Sequence, residues 1–509
     1  MPAASKTAAL VFTGFMGSGK SRALRHARAA GLDAVDTDAL LAAELGSSIE
    51  DFFDAHGEEE FRRREAEVVL RVLGEGHEAV ALGGGAVLEP RVRDALQGHT
   101  VVWLRVPVAE LWRRAGRPGR PLARDEARFR SLHAEREPIY RGLARAVMLS
   151  ADAVPAALPS LRALAAAEPA RLIWAESASG AYPVWVGAAI AQRVPWPAAG
   201  RRFSITDSNV GPLHGDAVGP WEATVTVEAG ERAKTLAEAE RVLRELASAG
   251  MTRSDHVVAL GGGVVGDLAG FCAATYQRGV PVVQVPTTLL AQVDSAIGGK
   301  TGVDLPEAKN YVGAYHLPAG VIADSAMLRT LPPEELAAGF AEVLKTALLS
   351  GPGFWERALS VSALGPAELE PLVLECALVK AGVVASDERD SGRREALNLG
   401  HTVGHAIEAA TGYERYRHGE AVGLGLLAAL RLSGADALRD ELATALERHG
   451  LPVRLDPAVA TDEILEGVGR DKKATAAGPR FVLLERPGEP VTGAAVEPDR
   501  VRAAVEELR

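Results

Sequence analysis

Three stretches hold residue types at spacings that can do chemistry. In "LNLGHTVGHAIE", residues 397–408, His401 and His405 stand four apart in what reads as a helix. Both rings then lie on one face, where imidazoles can grip a metal ion. Spacing alone proposes this pair as ligands and leaves the remaining ligands open. In "GFMGSGKS", residues 14–21, the pattern G-x-x-x-x-G-K-S follows an apolar run and opens a helix. Glycines there let backbone N–H groups at Gly17, Ser18 and Gly19 converge on phosphates, while Lys20 reaches their terminal oxygens and Ser21 offers a hydroxyl to magnesium. That is a nucleoside triphosphate site. In "VALGGGVVGDLAGF", residues 258–271, a strand runs through a glycine turn into a helix, the arrangement that receives a dinucleotide pyrophosphate.

The lysines extend this reading. Of 56 basic residues only nine are lysine, and none lies between Lys20 and Lys234. The chain uses arginine at solvated basic positions, so a retained lysine marks a place where a compact ammonium is required. Seven of the nine fall in motifs: Lys20, Lys234 of "GERAKTL", Lys300 and Lys309 of "AIGGKTGVDLPEAKNYVGAYHLP", Lys345 of "AEVLKTA", Lys380 of "KAGVVASDERD" and Lys472 of "DKK". Lys345 follows Glu342 by three residues, which puts both on one helix face.

The elements that must position these groups follow from the patterning. A chain of 509 residues exceeds one ordinary core and predicts two or more domains. Hydrophobic content of 47% with 24% charged residues is that of a soluble globular protein, and no apolar run approaches the roughly 20 residues that span a bilayer. The N-terminus lacks the shape of a secretory signal. Two cysteines, Cys272 and Cys376, fit a reducing cytoplasm, and a net charge of −11 disfavours nucleic acid as a partner. From "ALVFTG" to "TVVWLRV", buried apolar runs alternate with helical segments, predicting an α/β domain whose parallel sheet has helices on both faces. A linker is expected at 166–171. A second α/β lobe is expected over 172–327, with strands in "YPVWVGAAI", "ATVTVEAG", "DHVVALGGG" and "VPVVQVP", and a helical lobe over 328–509. His26, His56, His77, His99, His133 and His449 have no motif around them and are read as surface residues.

Over residues 8 to about 150 the order of motifs "GFMGSGKS", "DTD", "GEEEFRRRE", "GGGAVL", "RPLA" and "REPIY" resembles shikimate kinase. The resemblance implies a P-loop kinase that moves the γ-phosphoryl of ATP to the 3-hydroxyl of shikimate. Asp36 would serve magnesium through water. Asp38, Arg62 and Arg136 would hold the substrate's hydroxyls and carboxylate, with Gly84 and Gly85 against the ring. Arg120 would steady the transferring phosphoryl, and Arg114 would lie against adenine. Such a site works by positioning and charge neutralisation. Arg22 departs from the family's usual threonine.

From residue 172 to about 495 the chain resembles 3-dehydroquinate synthase, a two-lobed fold with an α/β NAD-binding lobe and a helical metal-binding lobe. The resemblance implies that 3-deoxy-D-arabino-heptulosonate 7-phosphate becomes 3-dehydroquinate with phosphate release. NAD would be regenerated in each turnover, and zinc or cobalt would act as a Lewis acid. It makes the metal ligands Glu342, His401 and His418 of "RHGE", and turns His405 toward substrate. Asp207, Asn209, Glu231, Lys234, Gly262, Gly263, Val264, Asp267, Thr287 and Thr288 would contact NAD, with Lys309 on the nicotinamide side. Asp294, Lys300, Asn310, Lys345, Lys380, Arg394, Asn398 and His405 would line the substrate pocket, and Lys472 or Lys473 would reach the phosphate. Asp390 stands where glutamate is common, and Leu317 where glutamine is. A homodimer through the synthase part and a cytoplasmic location are expected. The alternatives for this half are a related sugar-phosphate cyclase and a metal-dependent alcohol dehydrogenase.

Overall fold

The computed structural model describes residues 8–115, 125–390, 392–469 and 479–509. The chain forms two compact units. One holds residues up to Ala175 together with Arg193–Pro195, and the other holds Glu176–Gln192 and Trp196–Arg509.

The first unit is built on β1 (Leu10–Thr13), β2 (Ala34–Asp36), β3 (Ala79–Ala81), β4 (Thr100–Leu104), β5 (Ala146–Met148) and β6 (Arg171–Ser177). They pair in parallel in the order β2-β3-β1-β4-β5-β6, with Val11 opposite both Val80 and Val101. Every residue of β1, β3 and β4 is buried, as expected of a parallel sheet covered by helices. The loop after β1 needs positive φ at Gly14, Gly17 and Gly19 (144°, 85° and 99°), and a Cβ on Gly14 would lie 2.8 Å from the Leu104 carbonyl oxygen. Only glycine fits both demands. The helix Lys20–Ala29 follows at once, so its N-terminus points into the loop.

The second unit begins with β7 (Gly180–Gly187), β8 (Arg202–Asp207), β9 (Ala223–Val227), β10 (His256–Gly261) and β11 (Val282–Pro286). Next come β12 (Lys300–Leu305), β13 (Ala308–Tyr315) and β14 (Gly320–Asp324). A parallel sheet runs β7-β14-β11-β10-β8-β9, while β12 and β13 form an antiparallel hairpin. Phe203, Ile205, Val257, Leu268 and Val282 are fully buried in the core of this lobe. From Pro333 onward helices dominate, and they bury their apolar residues against one another. The expectation of helix to the C-terminus needs one correction. β15 (Phe481–Leu484) and β16 (Pro490–Ala494) make a hairpin across the turn "RPGE" before the last helix, Pro498–Glu506. Proline and glycine in that turn break any helical run. Among the described residues no helix is long and apolar enough to cross a membrane.

Candidate active sites

In the first unit the P-loop lysine donates from Nζ to the carbonyls of Gly14 (3.0 Å) and Phe15 (3.2 Å). Ser21 Oγ donates to Asp36 Oδ2 at 2.8 Å, while Asp36 Oδ1 caps the helix Thr37–Leu45 by accepting from the Asp38 and Ala39 amides. Asp36 therefore faces the Ser21 hydroxyl, and Asp38 lies in the first turn of that helix, beyond the strand end. A Cβ on Gly83 would lie 2.6 Å from Asp38 Oδ1 and 2.2 Å from Glu65 Oε1, and one on Gly84 would lie 3.7 Å from Lys20 Nζ. The glycine run thus brings Lys20, Asp38 and the long helix bearing Arg62 and Glu65 around one space. Arg62 Nη1 donates to Glu65 Oε2 at 2.6 Å. Burial pushes the Glu65 carboxyl up, and Arg62 holds it back. Arg136 is buried over the Phe15 ring at 5.7 Å, and the neighbouring Tyr140 hydroxyl donates to the Gly84 carbonyl. Arg114 lies beside Gly17, 3.6 Å from where a Cβ would stand, and pairs with Glu110. Arg22 turns to Asp152 at 2.5 Å. Arg120 lies outside the described residues.

Glu65 and Tyr140 were not foreseen. The signal for Glu65 was present, since it follows Arg62 by three residues in "FRRRE". Of the histidines read as surface groups, His133 is half-buried edge-on to Phe15 at 5.2 Å, and His449 packs on Phe340 at 4.7 Å with Nε2 buried. Single-residue motif searches do not see such packing.

A Cβ on Gly85 would lie 2.0 Å from Arg62 Nη1. Gly85→Ala is therefore expected to force the Arg62 guanidinium away and to destabilise the unit by about 1–3 kcal/mol. Thermal melting together with the KM for shikimate checks this, and an unchanged KM would contradict it.

In the second unit three helices meet. Pro333–Ser350 carries Glu342, His401–Ala410 carries its first residue's imidazole, and His418–Leu432 does the same. His401 Nε2 and His418 Nε2 lie 3.5 and 3.4 Å from Glu342 Oε1. Glycine makes this approach possible. A Cβ on Gly419 would fall 1.8 Å from the Ala338 carbonyl oxygen, and one on Gly425 2.0 Å from that of Gly400. Gly419→Ala is accordingly expected to separate the helices, destabilising the unit by about 1–3 kcal/mol and lowering zinc content. Denaturant melting with metal analysis reads both, and an alanine variant holding full zinc would refute it.

His405 is the near neighbour on the same helix, with its ring centroid 5.1 Å from that of His401. The grouping with both imidazoles at the carboxylate is 401 with 418, not 401 with 405: the donor atoms of Glu342, His401 and His418 all lie within 4.8 Å of one another. Glu342 is 1% exposed, and neither of its carboxylate oxygens accepts a well-formed hydrogen bond. Lys345 Nζ stands 2.5 Å from Oε2. Burial disfavours the Glu342 carboxylate, yet Lys345 and the two histidines hold it well below the usual range. Burial, with Lys345 behind it, pushes His401 down to about 3. His418 is opposed by burial but raised to about 10 by Glu342 and Glu408. A cation taken up by Glu342, His401 and His418 would displace a proton from His418. One buried carboxylate oxygen and two imidazole nitrogens at the cleft wall fit zinc or cobalt and leave positions open for a substrate.

Asp294 organises the ammonium groups beside this set. Lys380 bonds its carboxylate and, at 2.6 Å, its backbone carbonyl, and Lys345 lies 3.8 Å from Oδ2. Burial raises the Asp294 carboxyl, but the two lysines pull it down overall. Lys300 pairs with Asp390 at 2.7 Å, so the shorter acid still reaches its lysine. Arg394 is buried and donates to the Glu388 carbonyl; a Cβ on Gly298 would lie 2.8 Å from it.

A cleft of about 1670 Å³ joins His401, His418, Asp294, Lys300 and Lys380 to the glycine turn. Glu342, Lys345 and Arg394 are buried and do not themselves line it, so two of the expected pocket residues, Lys345 and Arg394, stand behind its wall. Asp207, Asn209, Glu231, Lys234, Gly262, Gly263, Val264, Asp267, Thr287 and Thr288 line it, and so do Asp294, Lys300, Lys309, Asn310, Lys380, Asn398, His401, His405 and His418. Asp207 Oδ1 accepts from the Asn209 and Val210 amides (2.9 and 2.8 Å), and Lys234 pairs with Asp267 at 3.0 Å. Gly262 and Gly263 open the helix Gly263–Thr275, with Thr288 packed where a Gly262 Cβ would be. Lys472 and Lys473 lie outside the described residues. Glu408, another lining residue, was not foreseen, although it stands three residues after His405 in the stretch that first drew notice.

A P-loop phosphotransferase unit and a two-lobed unit pairing a nucleotide-binding turn with a buried carboxylate–imidazole set define the class: a kinase joined to a cyclase-type lyase. Residues 16–164 match the shikimate kinase family, 224–338 the N-terminal part of 3-dehydroquinate synthase and 339–474 its C-terminal part. The 3-dehydroquinate synthase of Symbiobacterium thermophilum is 45% identical over 351 residues, covering 64% of this chain and 98% of that protein. That of Halorhodospira halophila is 44% identical over 346 residues, covering 65% and 97%. The chain belongs to the 3-dehydroquinate synthase family and carries a shikimate kinase domain ahead of it. Among solved structures, a 2-deoxy-scyllo-inosose synthase complexed with carbaglucose-6-phosphate, NAD+ and Co2+ is similar, with a TM-score of 0.60 and 25% identity over 66% of this chain and 100% of that one. A 2-epi-5-epi-valiolone synthase from Streptomyces hygroscopicus, with a TM-score of 0.56 and 24% identity over 64% of this chain and 96% of that one, shares the fold.

Proposed function

We propose that each half uses the residues brought together above for its family's reaction: shikimate 3-phosphorylation by ATP in the first, and conversion of 3-deoxy-D-arabino-heptulosonate 7-phosphate to 3-dehydroquinate in the second. The observation that carries the second assignment is the meeting of His401 and His418 at the buried Glu342, with both imidazoles lining the cleft that also holds the Gly262–Gly263 helix start. The kinase half spans 1–165, a linker 166–171, the NAD-binding lobe 172–327 and the metal lobe 328–509. In the kinase, Lys20 and the P-loop amides hold the phosphates, and Ser21 with Asp36 (through water) holds magnesium. Asp38, Arg62 and Arg136 bind shikimate against Gly84 and Gly85, with Arg120 on the phosphoryl and Arg114 by the adenine.

In the synthase, Glu342, His401 and His418 would hold zinc or cobalt, which acts there as a Lewis acid. Asp207, Asn209, Glu231, Lys234, Gly262–Val264, Asp267 and Thr287–Thr288 would hold NAD, which would supply reversible hydride chemistry there. Asp294 holds Lys380 at the cleft wall, with Lys345 buried behind it between Asp294 and Glu342, and the Lys380 ammonium would there meet an anionic substrate. Lys300, Asn310, Asn398 and Lys472 share its carboxylate, hydroxyls and phosphate, Arg394 supports the cleft wall from behind, Lys309 lies toward the nicotinamide, and His405 sits within reach of substrate protons. The protein is read as a cytoplasmic homodimer joined through the synthase part.

Identity of 45% with a 3-dehydroquinate synthase against 25% with the inosose synthase favours the seven-carbon keto acid phosphate over other cyclase substrates. Given that substrate, purified protein is expected to release inorganic phosphate with no net NADH. EDTA should stop this, zinc should restore it, and with magnesium in excess of the chelator shikimate phosphorylation should continue. Steady NADH accumulation would instead identify a dehydrogenase, and phosphate release indifferent to EDTA would remove the metal from the reading.

A further inference from the structure

We propose that Glu408 is a positioning residue for the metal centre, holding the His418 ring from its far side and tying it to Lys309. The inference rests on Glu342, His401 and His418 being cation ligands. Glu408 stands two turns after His401 on the same helix and is 3% exposed. Its Oε2 lies 3.3 Å from His418 Nδ1, while His418 Nε2 lies 3.4 Å from Glu342 Oε1. The ring is thus clamped between two buried carboxylates, one at each nitrogen. An imidazole that gives Nε2 to a cation keeps its proton on Nδ1, and a carboxylate accepting that proton selects the tautomer, fixes the ring plane and makes the ligating nitrogen more basic.

The other end of Glu408 is occupied as well. Its Oε1 lies 3.6 Å from Lys309 Nζ, which is 3.7 Å from Glu231 Oε1 and 4.3 Å from the centroid of the Tyr413 ring. A buried carboxylate persists where opposite charge compensates it, and Lys309 does so without competing for His418. Lys309 reaches Glu231 on one side and Glu408 on the other, so a single ammonium joins the nucleotide side of the cleft to the outer face of a metal ligand.

The donor atoms of His405, Glu408 and His418 also lie within 4.8 Å of one another, a geometry that would make Glu408 a ligand of a second cation. His418 already turns Nε2 to Glu342, so serving both cations would require its ring to give up both protons, which disfavours a second ion there. The two roles predict different stoichiometries.

The test is zinc affinity of the full chain, read by competition with a chromophoric chelator, together with the visible spectrum of the cobalt(II) form at saturation. Wild type should bind one equivalent. Glu408→Gln, of equal volume, should bind one equivalent about 10–100-fold more weakly and with a shifted cobalt spectrum. A purely structural loss would lower the melting temperature and leave the saturated spectrum unchanged. Lys309→Met gives a second reading with Glu408 in place, and should weaken zinc less than Glu408→Gln does. Unaltered affinity and spectrum in Glu408→Gln would overturn the proposal, as would a second equivalent in wild type that this variant loses. Should Glu408→Gln fail to fold, Lys309→Met decides, and wild-type affinity and spectrum there would overturn it. Wild type that binds no zinc, or that binds it equally well as Glu342→Gln, would defeat the ligand assignment instead.

Discussion

Glu342→Gln is expected to lose tightly bound zinc and synthase turnover while shikimate phosphorylation continues unchanged. Removing an outer partner of a metal ligand typically costs about 10–100-fold, so removing the only carboxylate among three ligands should exceed that. The substitution also unbalances the buried charge. Lys345 Nζ sits 2.5 Å from Glu342 and 3.8 Å from Asp294, so the amide leaves one buried ammonium with a single, more distant partner. Breaking a buried pair by removing one side costs about 3–5 kcal/mol, and a stability loss approaching that range is expected. Metal analysis, denaturant melting and both assays on one sample test it. The kinase serves as internal control because it lies in the other compact unit. Full zinc occupancy with normal phosphate release in the variant would contradict the ligand assignment.

Lys20→Ala is expected to give the reverse pattern, with the kinase lost and the synthase intact. Lys20 Nζ is held at the mouth of the loop by the Gly14 and Phe15 carbonyls, close to Gly84, where a triphosphate's terminal oxygens would arrive. An ammonium aimed at charge that builds in the transition state resembles other preorganised donors whose removal costs about 10²–10³-fold in kcat. Lys20→Arg should recover little. A compact ammonium sits on the Gly14 and Phe15 carbonyls, and a planar fork of different reach does not reproduce that placement. Steady-state kinetics with shikimate and ATP decide the point, and near-normal kcat in Lys20→Ala would show that this loop does not serve phosphoryl transfer.

The two patterns together would show two independent chemistries on one chain. The metal-ligand variant reads only the second unit, and the P-loop variant only the first. A loss of both activities in either single variant would point instead to a shared folding defect, which the melting curves would reveal.

What was legible in the sequence is what local spacing encodes. The P-loop needs consecutive residues only, so Gly14 to Ser21 could be placed and given roles before any fold was known. Alternating apolar runs likewise carried the two α/β segments, because a covered parallel strand must be apolar along its length. The sparse lysines pointed to the cleft because an arginine-rich chain keeps lysine where shape matters. Other features depend on residues far apart in the chain. Helical spacing offered His401 with His405, whereas two helix N-termini brought His401 and His418 to Glu342 in the middle of a third helix, 59 and 76 residues away in sequence. That meeting depends on Gly419 and Gly425, whose missing side chains let backbones touch, and nothing local marks a glycine as a site of close approach. Glu65 and Glu408 were likewise hidden. Each stands three residues from a residue already in view, but a charge beside a charge is usually solvated, and only packing decides which one is buried. Sequence by itself determined the chemistry available at each turn and helix start. Tertiary packing alone decided which distant groups share a site, because that outcome depends on the volume left between helices.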